Sequence, residues 1–323
     1  MKRVLIDTDP GIDDALALFL ALKSPELRVE AITTVAGNAP VEDCTRNVFT
    51  LLEVLNAEPR PVVARGAAHP LARELRTAVE VHGSDGLGGL SRYRNPDGLP
   101  RYPQPREALA PVGAADLILD LVGRSPGEIT LITLGPLTNV AQALLRDRSA
   151  MGKVHRVVSM GGAVCVPGNT SAVAEFNIAT DPEAAQIVFT SGLPLTLIPL
   201  DVTERVRLSR DALRTWVEPL ADPPAQFLLD CTAHLTAFSE KWEGFAGVIL
   251  HDPLTVGVVT DQDLVQCRSL YVQVETRGEI TAGMTVADRR PFRAEGRPNV
   301  EVAMAVDVDR FLSLFMERVC RRS

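Results

Sequence analysis

An α/β architecture, with a mainly parallel sheet covered by helices on both faces, is predicted by three observations. Short β-branched runs alternate with longer stretches of helical period, the runs are nearly continuously apolar as doubly buried strands are, and they end at Gly, Asp or Asn. In chain order the strands are "RVLI", "VEAITTVA", "EITLITL", "VHRVVSMGG" and "LPLTLIPLDV". Helical patterns occupy 41–55, 114–122, 139–145 and 182–189. Residues 59–111 are rich in Pro, Gly and Arg with weak periodicity, which suits a linker or a long loop; "HGSDGLGGL" within them reads as a mobile loop able to approach a ligand. The pattern over 207–247 is helical, and the tail closes with the strand "NVEVAMAVDV" and a helix over 309–319. No repeat, low-complexity tract or composition break divides the chain, so 1–323 reads as one domain. Sheets of this kind carry their sites at the carboxyl ends of strands, where the strand order reverses.

Composition narrows the function. The 323 residues are 46% hydrophobic and 23% charged, enough apolar material for a large core. Lys and Arg number 33 against 41 Asp and Glu, a formal charge of −8 that argues against nucleic acid and for a small substrate or a protein partner. Cys44, Cys165, Cys231, Cys267 and Cys320 are scattered and form no CxxC pair, so neither a disulfide framework nor a zinc knuckle is indicated and a reducing cytosol fits. The apolar stretch after Lys2 and Arg3 stops at Asp7, and the run 15–22 is too short for a bilayer, so neither export nor membrane insertion is expected.

Four aspartates, Asp7, Asp9, Asp13 and Asp14, crowd "VLIDTDPGIDDALAL". Pro10 suits a first helical position and Gly11 loosens the turn, which places Asp13 and Asp14 in an opening helical turn. Helix-end preference accounts for one or two acids but not four. Two carboxylates about 4 Å apart repel by roughly 4 kcal/mol at an effective dielectric near 20. The acids must therefore be partly protonated, spread out, or holding a cation. All-oxygen donors without nearby His or Cys indicate calcium or magnesium rather than zinc, and the spacing is not that of an EF-hand.

Other groups gain meaning only in combination. "LHDPLTVG" places His251 and Asp252 at the start of an apolar helix with Pro253 at a first helical position. Asp before Pro is ordinarily an N-cap and a lone His ordinarily structural. "GNTSAVAEFNIATDPEAA" supplies Asn169, Glu175 and Asn177, polar groups suited to sugar hydroxyls where they converge. "TLGPLTNVA" leaves Gly135 and Pro136 at a strand end, where backbone carbonyls are available to a metal, and "TTVAGNA" leaves Asn38 at another. Gly161 and Gly162 read as close backbone packing, since nothing like a phosphate-binding loop follows.

Taken together, "DTDPGIDDALAL", "GNAPVEDCTRN", "HGSDGLGG", "LGPLTNVA", "MGGAV", "AEFNIATDPEAA" and "HDPL" resemble the inosine-uridine preferring nucleoside hydrolase family, in order and along the whole chain. The resemblance implies a calcium-dependent N-ribohydrolase on a single domain with a Rossmann-like open sheet, a helical lid around 207–247, assembly as a homodimer or homotetramer, and a cytoplasmic role in purine and pyrimidine salvage. By motif match, Asp9, Asp14, Asp252 and the Leu134 carbonyl would hold Ca²⁺, with Asp9 also the base. Asp13, Asn38, Asn169, Glu175 and Asn177 would hold the ribose hydroxyls. His251 would assist the leaving base as a histidine titrating near neutrality, and His82 would contact that base. The lid tyrosines that several family members carry are missing; "HLTAFSEKWEGFAG" offers Phe238, Trp242 and Phe245, and stacking by these lid aromatics, with Trp242 the expected substrate contact, is the substitute. Two rivals stand beside this reading. "VLIDTD" also resembles a Mg²⁺-dependent haloacid-dehalogenase-type phosphatase, although the later lysine and acidic pair of that family find no match among Lys2, Lys23, Lys153 and Lys241. The other is a non-catalytic nucleoside- or ribose-binding protein.

Overall fold

The computed structural model describes residues 1–290 and 296–321. The first half runs β1 (Lys2–Thr8), α1 (Ile12–Lys23), β2 (Leu27–Thr34), α2 (Val41–Val54), β3 (Val62–Arg65), α3 (Val79–His82), α4 (Ala114–Arg124), β4 (Ile129–Thr133), α5 (Thr138–Arg146), α6 (Arg148–Met151) and β5 (Arg156–Met160). The second half continues with α7 (Phe176–Thr180), α8 (Pro182–Phe189), β6 (Leu195–Ile198), α9 (Leu200–Thr203), β7 (Arg207–Ser209), α10 (Arg210–Val217), α11 (Pro223–Glu243), β8 (Gly247–Ile249) and α12 (His251–Thr260). It ends with β9 (Val265–Val274), β10 (Thr285–Asp288), β11 (Val300–Val306) and α13 (Val308–Val319).

Among the described residues nine strands form one sheet in the order β10-β9-β11-β6-β5-β4-β1-β2-β3. All neighbours from β11 to β3 are parallel, while β9 and β10 pair antiparallel at one edge. The order 3-2-1-4-5-6 reverses direction at β1, so the crevice beyond the carboxyl ends of β1 and β4 is the switch point. Period-two alternation splits the core in two. Val4, Ile6, Ile132 and Val158 face α1, α2, α11, α12 and α13, whereas Leu5, Leu131 and Val157 face α4, α5 and α8. Helix α1 is buried along nearly its whole length, Ile12 to Ala21, which is why its sequence is apolar all round and can carry charge only at its ends.

Several expectations change in detail. Helix α1 starts at Ile12 with Gly11 as its extended N-cap, so Pro10 lies outside the helix; the Asp14 side chain closing back on the Gly11 N–H sets the start. Helix α12 begins at His251, putting Asp252 and Pro253 inside its first turn, where Pro lacks only an N–H that has no helical partner. The stretch 207–247 is bounded by β7 and β8, a separate antiparallel pair. Leu200 to Thr203 form a helical turn instead of extending β6. Strands β3, β9 and β10 had no counterpart in the sequence reading; β9 shows why, since Gln266 to Ser269 are all exposed and only Leu270, Val272 and Val274 are buried. No described helix is long and apolar enough to cross a membrane.

Asn139 ties three pieces of this frame together. Its Nδ2 donates to Asp7 Oδ1 at 2.7 Å and to the Thr34 carbonyl at 2.9 Å, and its Oδ1 accepts from the Ala67 N–H at 2.9 Å. Asp7 is fully buried with Oδ2 already unpartnered, so losing Asn139 strands further polar atoms. Asn139→Ala should lower unfolding stability by about 3 kcal/mol; a urea midpoint within error of wild type would show that water or a rearrangement replaces these bonds.

Candidate active site

The acids of "DTDPGIDD" converge because β1 ends at the switch point and α1 starts there. Asp9 Oδ2 accepts from the Asn38 N–H at 2.7 Å, while its Oδ1, also buried, has no partner. Asp14 Oδ2 accepts from the Gly11 N–H at 3.0 Å and from Asn38 Nδ2 at 2.9 Å, and its Oδ1 accepts from the Thr8 hydroxyl at 2.5 Å. Asp252 arrives from α12, and oxygens of Asp13, Asp14 and Asp252 lie within 4.8 Å of one another. Gly37 and Gly135, beyond the carboxyl ends of β2 and β4, allow this approach: a methyl on either would collide with the Asp9 carboxylate.

Polar groups from other loops complete a cavity of about 320 Å³. Asn177 Nδ2 donates to the Leu134 carbonyl at 2.6 Å. Glu175 Oε1 accepts from the Asn177 N–H, and Oε2 accepts from the N–H groups of Gly162 and Ile178. The double glycine thus packs closely, as expected, and also grips a carboxylate. Asn169 Oδ1 accepts from the Phe176 N–H at 3.0 Å. His82 Nδ1 accepts from the Ile12 N–H at 3.0 Å, filling one open donor at the start of α1. His251 Nδ1 lies 2.8 Å from the Thr203 hydroxyl.

Burial governs the charges. It holds Asp9 and Asp252 well above the ordinary carboxylate range, with Asp14 adding to the effect on Asp9 and Asp13 and Asp14 adding to that on Asp252. Asp13 is raised to about 7 by burial and by the adjacent Asp14. Burial lowers His82 to about 3, helped by His251 and His234, and His251 to about 4. The expectation of a histidine titrating near neutrality is therefore corrected: desolvation keeps the His251 imidazole uncharged. Among the described residues no Lys or Arg pairs with Asp9, Asp13, Asp14 or Asp252. Buried oxygens without a compensating cation, one of them with no hydrogen bond, fit a hard divalent ion.

A family model, inosine-uridine preferring nucleoside hydrolase, matches residues 4–313. The chain belongs to this family. It is 39% identical to the pyrimidine-specific ribonucleoside hydrolase RihA of Shewanella sp. (strain ANA-3), over 98% of this chain and 95% of that one. The corresponding protein of Escherichia coli O9:H4 (strain HS) is 41% identical, over 98% of this chain and 97% of its own. The solved structure of a purine-preferring ribonucleoside hydrolase from Gardnerella vaginalis superposes with a TM-score of 0.90 at 32% identity, covering 99% of this chain and 98% of that one. The chain is thus a nucleoside hydrolase, an enzyme that splits ribonucleosides into free base and ribose, and the phosphatase and pure-binding alternatives fall away.

Of the residues singled out in the sequence, Asp13, Asn38, His82, Leu134, Asn169, Glu175, Asn177, His251 and Asp252 line the cavity, and Asp9 and Asp14 lie fully buried beside it. Trp242 does not line it. The stripe of α11 that reaches the cavity runs through Leu235, Ser239 and Glu243, with Phe238 beside it. Trp242 stands in the last turn, 66% exposed, beneath the Lys241 ammonium, so Phe238 is the aromatic that α11 gives to the cavity, which Phe176 also lines. The sequence reading missed Thr203, which directly follows a run that looks like a strand, and Asn47, whose Nδ2 donates to the Pro10 and Asp85 carbonyls and pins the glycine loop beside the acids.

Buried acids with raised folded-state pKa values make the ion-free protein pH-sensitive. Asp7 and Asp13, both near 7, keep protons that the unfolded chain releases near 4, so stability falls as pH rises between those values. The slope is at most about 1.4 kcal/mol per pH unit for each group. Chelator-treated protein should show a lower urea midpoint at pH 7 than at pH 5, and Ca²⁺ should recover more at pH 7; a midpoint rising with pH would refute this account.

Proposed function

We propose that the chain is a calcium-dependent hydrolase of pyrimidine ribonucleosides, and the observation that carries the metal is the buried trio Asp13, Asp14 and Asp252, with Asp9 buried beside it holding one unpartnered oxygen and no Lys or Arg paired to any of them among the described residues. Asp9, Asp14, Asp252 and the Leu134 carbonyl are the groups that would hold Ca²⁺; when bound, it compensates their charge and acidifies a water molecule. The pyrimidine preference is supported by the 39% and 41% identical relatives named for it. The same reading makes the chain a cytoplasmic salvage enzyme that works as a homodimer or homotetramer.

The residues divide the work. Asp9 has one oxygen held by Asn38 and one free, so it can accept the proton of an attacking water. Asp13, Asn38, Asn169, Glu175 and Asn177 bind the ribose. Glu175 has about four acceptor positions, of which three backbone N–H groups take all but one, leaving room for one hydroxyl. Positive charge developing on the sugar is stabilised by these fixed oxygens more than the neutral ground state is. In this reading the Thr203 hydroxyl, 2.8 Å from Nδ1, is the donor of that pair, which puts the His251 proton on Nε2 and lets the neutral imidazole serve the departing base as a hydrogen-bond donor. His82 is held in the same sense by the Ile12 N–H. Phe238 and Leu235, on a lid formed by 207–247, and Ile249 just beyond it provide the apolar walls for the base.

Chelation should abolish release of uracil from uridine and Ca²⁺ should restore it, whereas Asp9→Ala should stay at least about 10³-fold below wild type with Ca²⁺ present. Full turnover in the chelator, or a calcium-activated Asp9→Ala, would remove the metal or the base from the scheme. His251→Ala should lower kcat on uridine by about 10² or more yet change p-nitrophenyl riboside, whose leaving group needs no proton, by less than about tenfold. Equal losses on both substrates would contradict the donor role.

A further inference from the structure

The cavity wall contributed by α9 and α11 carries acids that the reaction does not use. Glu204 caps α9 directly after Thr203, and Glu243 enters from the last turn of α11, one turn beyond Ser239. The Glu204 carboxylate is half-buried and receives no hydrogen bond or ion pair from any described side chain. Its neighbouring cation, Arg207, directs its Nε–H to the Glu204 backbone carbonyl and lays its guanidinium over the Phe245 ring. Burial, with Glu243 and Asp201 adding, raises the Glu204 pKa, while Arg207 opposes this. The two glutamates are therefore close enough to feel each other. No Lys or Arg lines the cavity among the described residues, so this wall offers a base chiefly hydrogen-bond acceptors.

We infer that Glu204 is a specificity-determining residue whose carboxylate accepts a hydrogen bond from the exocyclic amino group of the base, so that cytidine is cleaved in preference to uridine. The inference rests on the pyrimidine ribohydrolase reading above. Cytosine presents the N4 amino donor where uracil presents the O4 acceptor. A carboxylate facing O4 sets acceptor against acceptor and leaves a partly desolvated charge unpaired, and sites built around a hydrogen bond discriminate through that penalty. Half-exposure lets water soften it, which places the expected preference at about ten- to a hundredfold.

The test is kcat/KM for cytidine and uridine in wild type, Glu204→Gln and Glu204→Asp. Wild type should favour cytidine by about tenfold or more. Glu204→Gln, which adds an amide donor in nearly the same volume, should bring the two substrates within about threefold, with uridine gaining as cytidine loses. Glu204→Asp keeps the charge and should keep cytidine ahead. A wild-type ratio below about threefold, or the wild-type ratio persisting in Glu204→Gln, overturns the assignment. Wild-type turnover of p-nitrophenyl riboside separates the two levels of the argument. If that substrate is not cleaved, the ribohydrolase reading fails; if it is cleaved while cytidine and uridine are treated alike, only the role of Glu204 fails.

Discussion

Three carboxylates buried together, Asp13, Asp14 and Asp252, with Asp9 buried beside them and no Lys or Arg paired to any of the four among the described residues, are the constraint around which the rest of the molecule is arranged. The protein supplies partial compensation from its backbone. Asp13 and Asp14 lie in the first turn of α1 and Asp252 in the first turn of α12, so two helix N-termini point their positive ends at the cluster. Each end is worth about half an elementary charge. Two therefore offset about one of four negative charges. The deficit is too large for hydrogen bonds to carry, and one Asp9 oxygen has none at all. Raised proton affinity removes part of the charge in the ion-free protein. A divalent ion would remove more and leave the carboxylates unprotonated.

The sheet order makes this concentration possible. Only where strand order reverses do neighbouring strands send their following loops to opposite faces and leave an open crevice. Asp9 follows β1 into that crevice, Leu134 and Gly135 follow β4, and Gly37 and Asn38 follow β2. The glycines matter through what they lack: side chains at Gly37 or Gly135 would occupy the space that the Asp9 carboxylate fills. Beneath, Asp7 is locked by Thr33 and Asn139, so the strand that presents Asp9 is tied to its neighbour and to α5 by hydrogen bonds as well as by packing.

What could be read from the sequence was whatever is encoded locally. The acidic run at a strand end, the apolar strands and the helix over 182–189 carry their signal within a few residues, and the structure has them in place. The misreadings come from long-range context. Pro10 satisfies the rule for a first helical position, but the bond from the Gly11 N–H to Asp14 starts the helix two residues later. Trp242 looked like the aromatic to place over a base, yet the geometry of the last turn of α11 leaves it in solvent and puts Phe238 against the cavity. The neutrality of His251 was invisible because it depends on burial contributed by distant segments, and Thr203 directly follows a run whose local pattern is that of a strand.

The two histidines close the electrostatic argument. An imidazolium beside the acids would be the obvious alternative way to offset their charge. Burial instead holds both rings neutral, and each has Nδ1 already engaged, His82 by the Ile12 N–H and His251 by the Thr203 hydroxyl. His82, whose Nδ1 accepts from a backbone N–H, carries its proton on Nε2 and presents a donor to the cavity, and neither ring adds charge. Neutral donors can meet a departing base without neutralising the carboxylates, and the demand for a cation at the acids remains undiminished. Under the proposed mechanism this arrangement separates two tasks that one charged histidine would merge: proton supply at the base, and charge balance at the sugar.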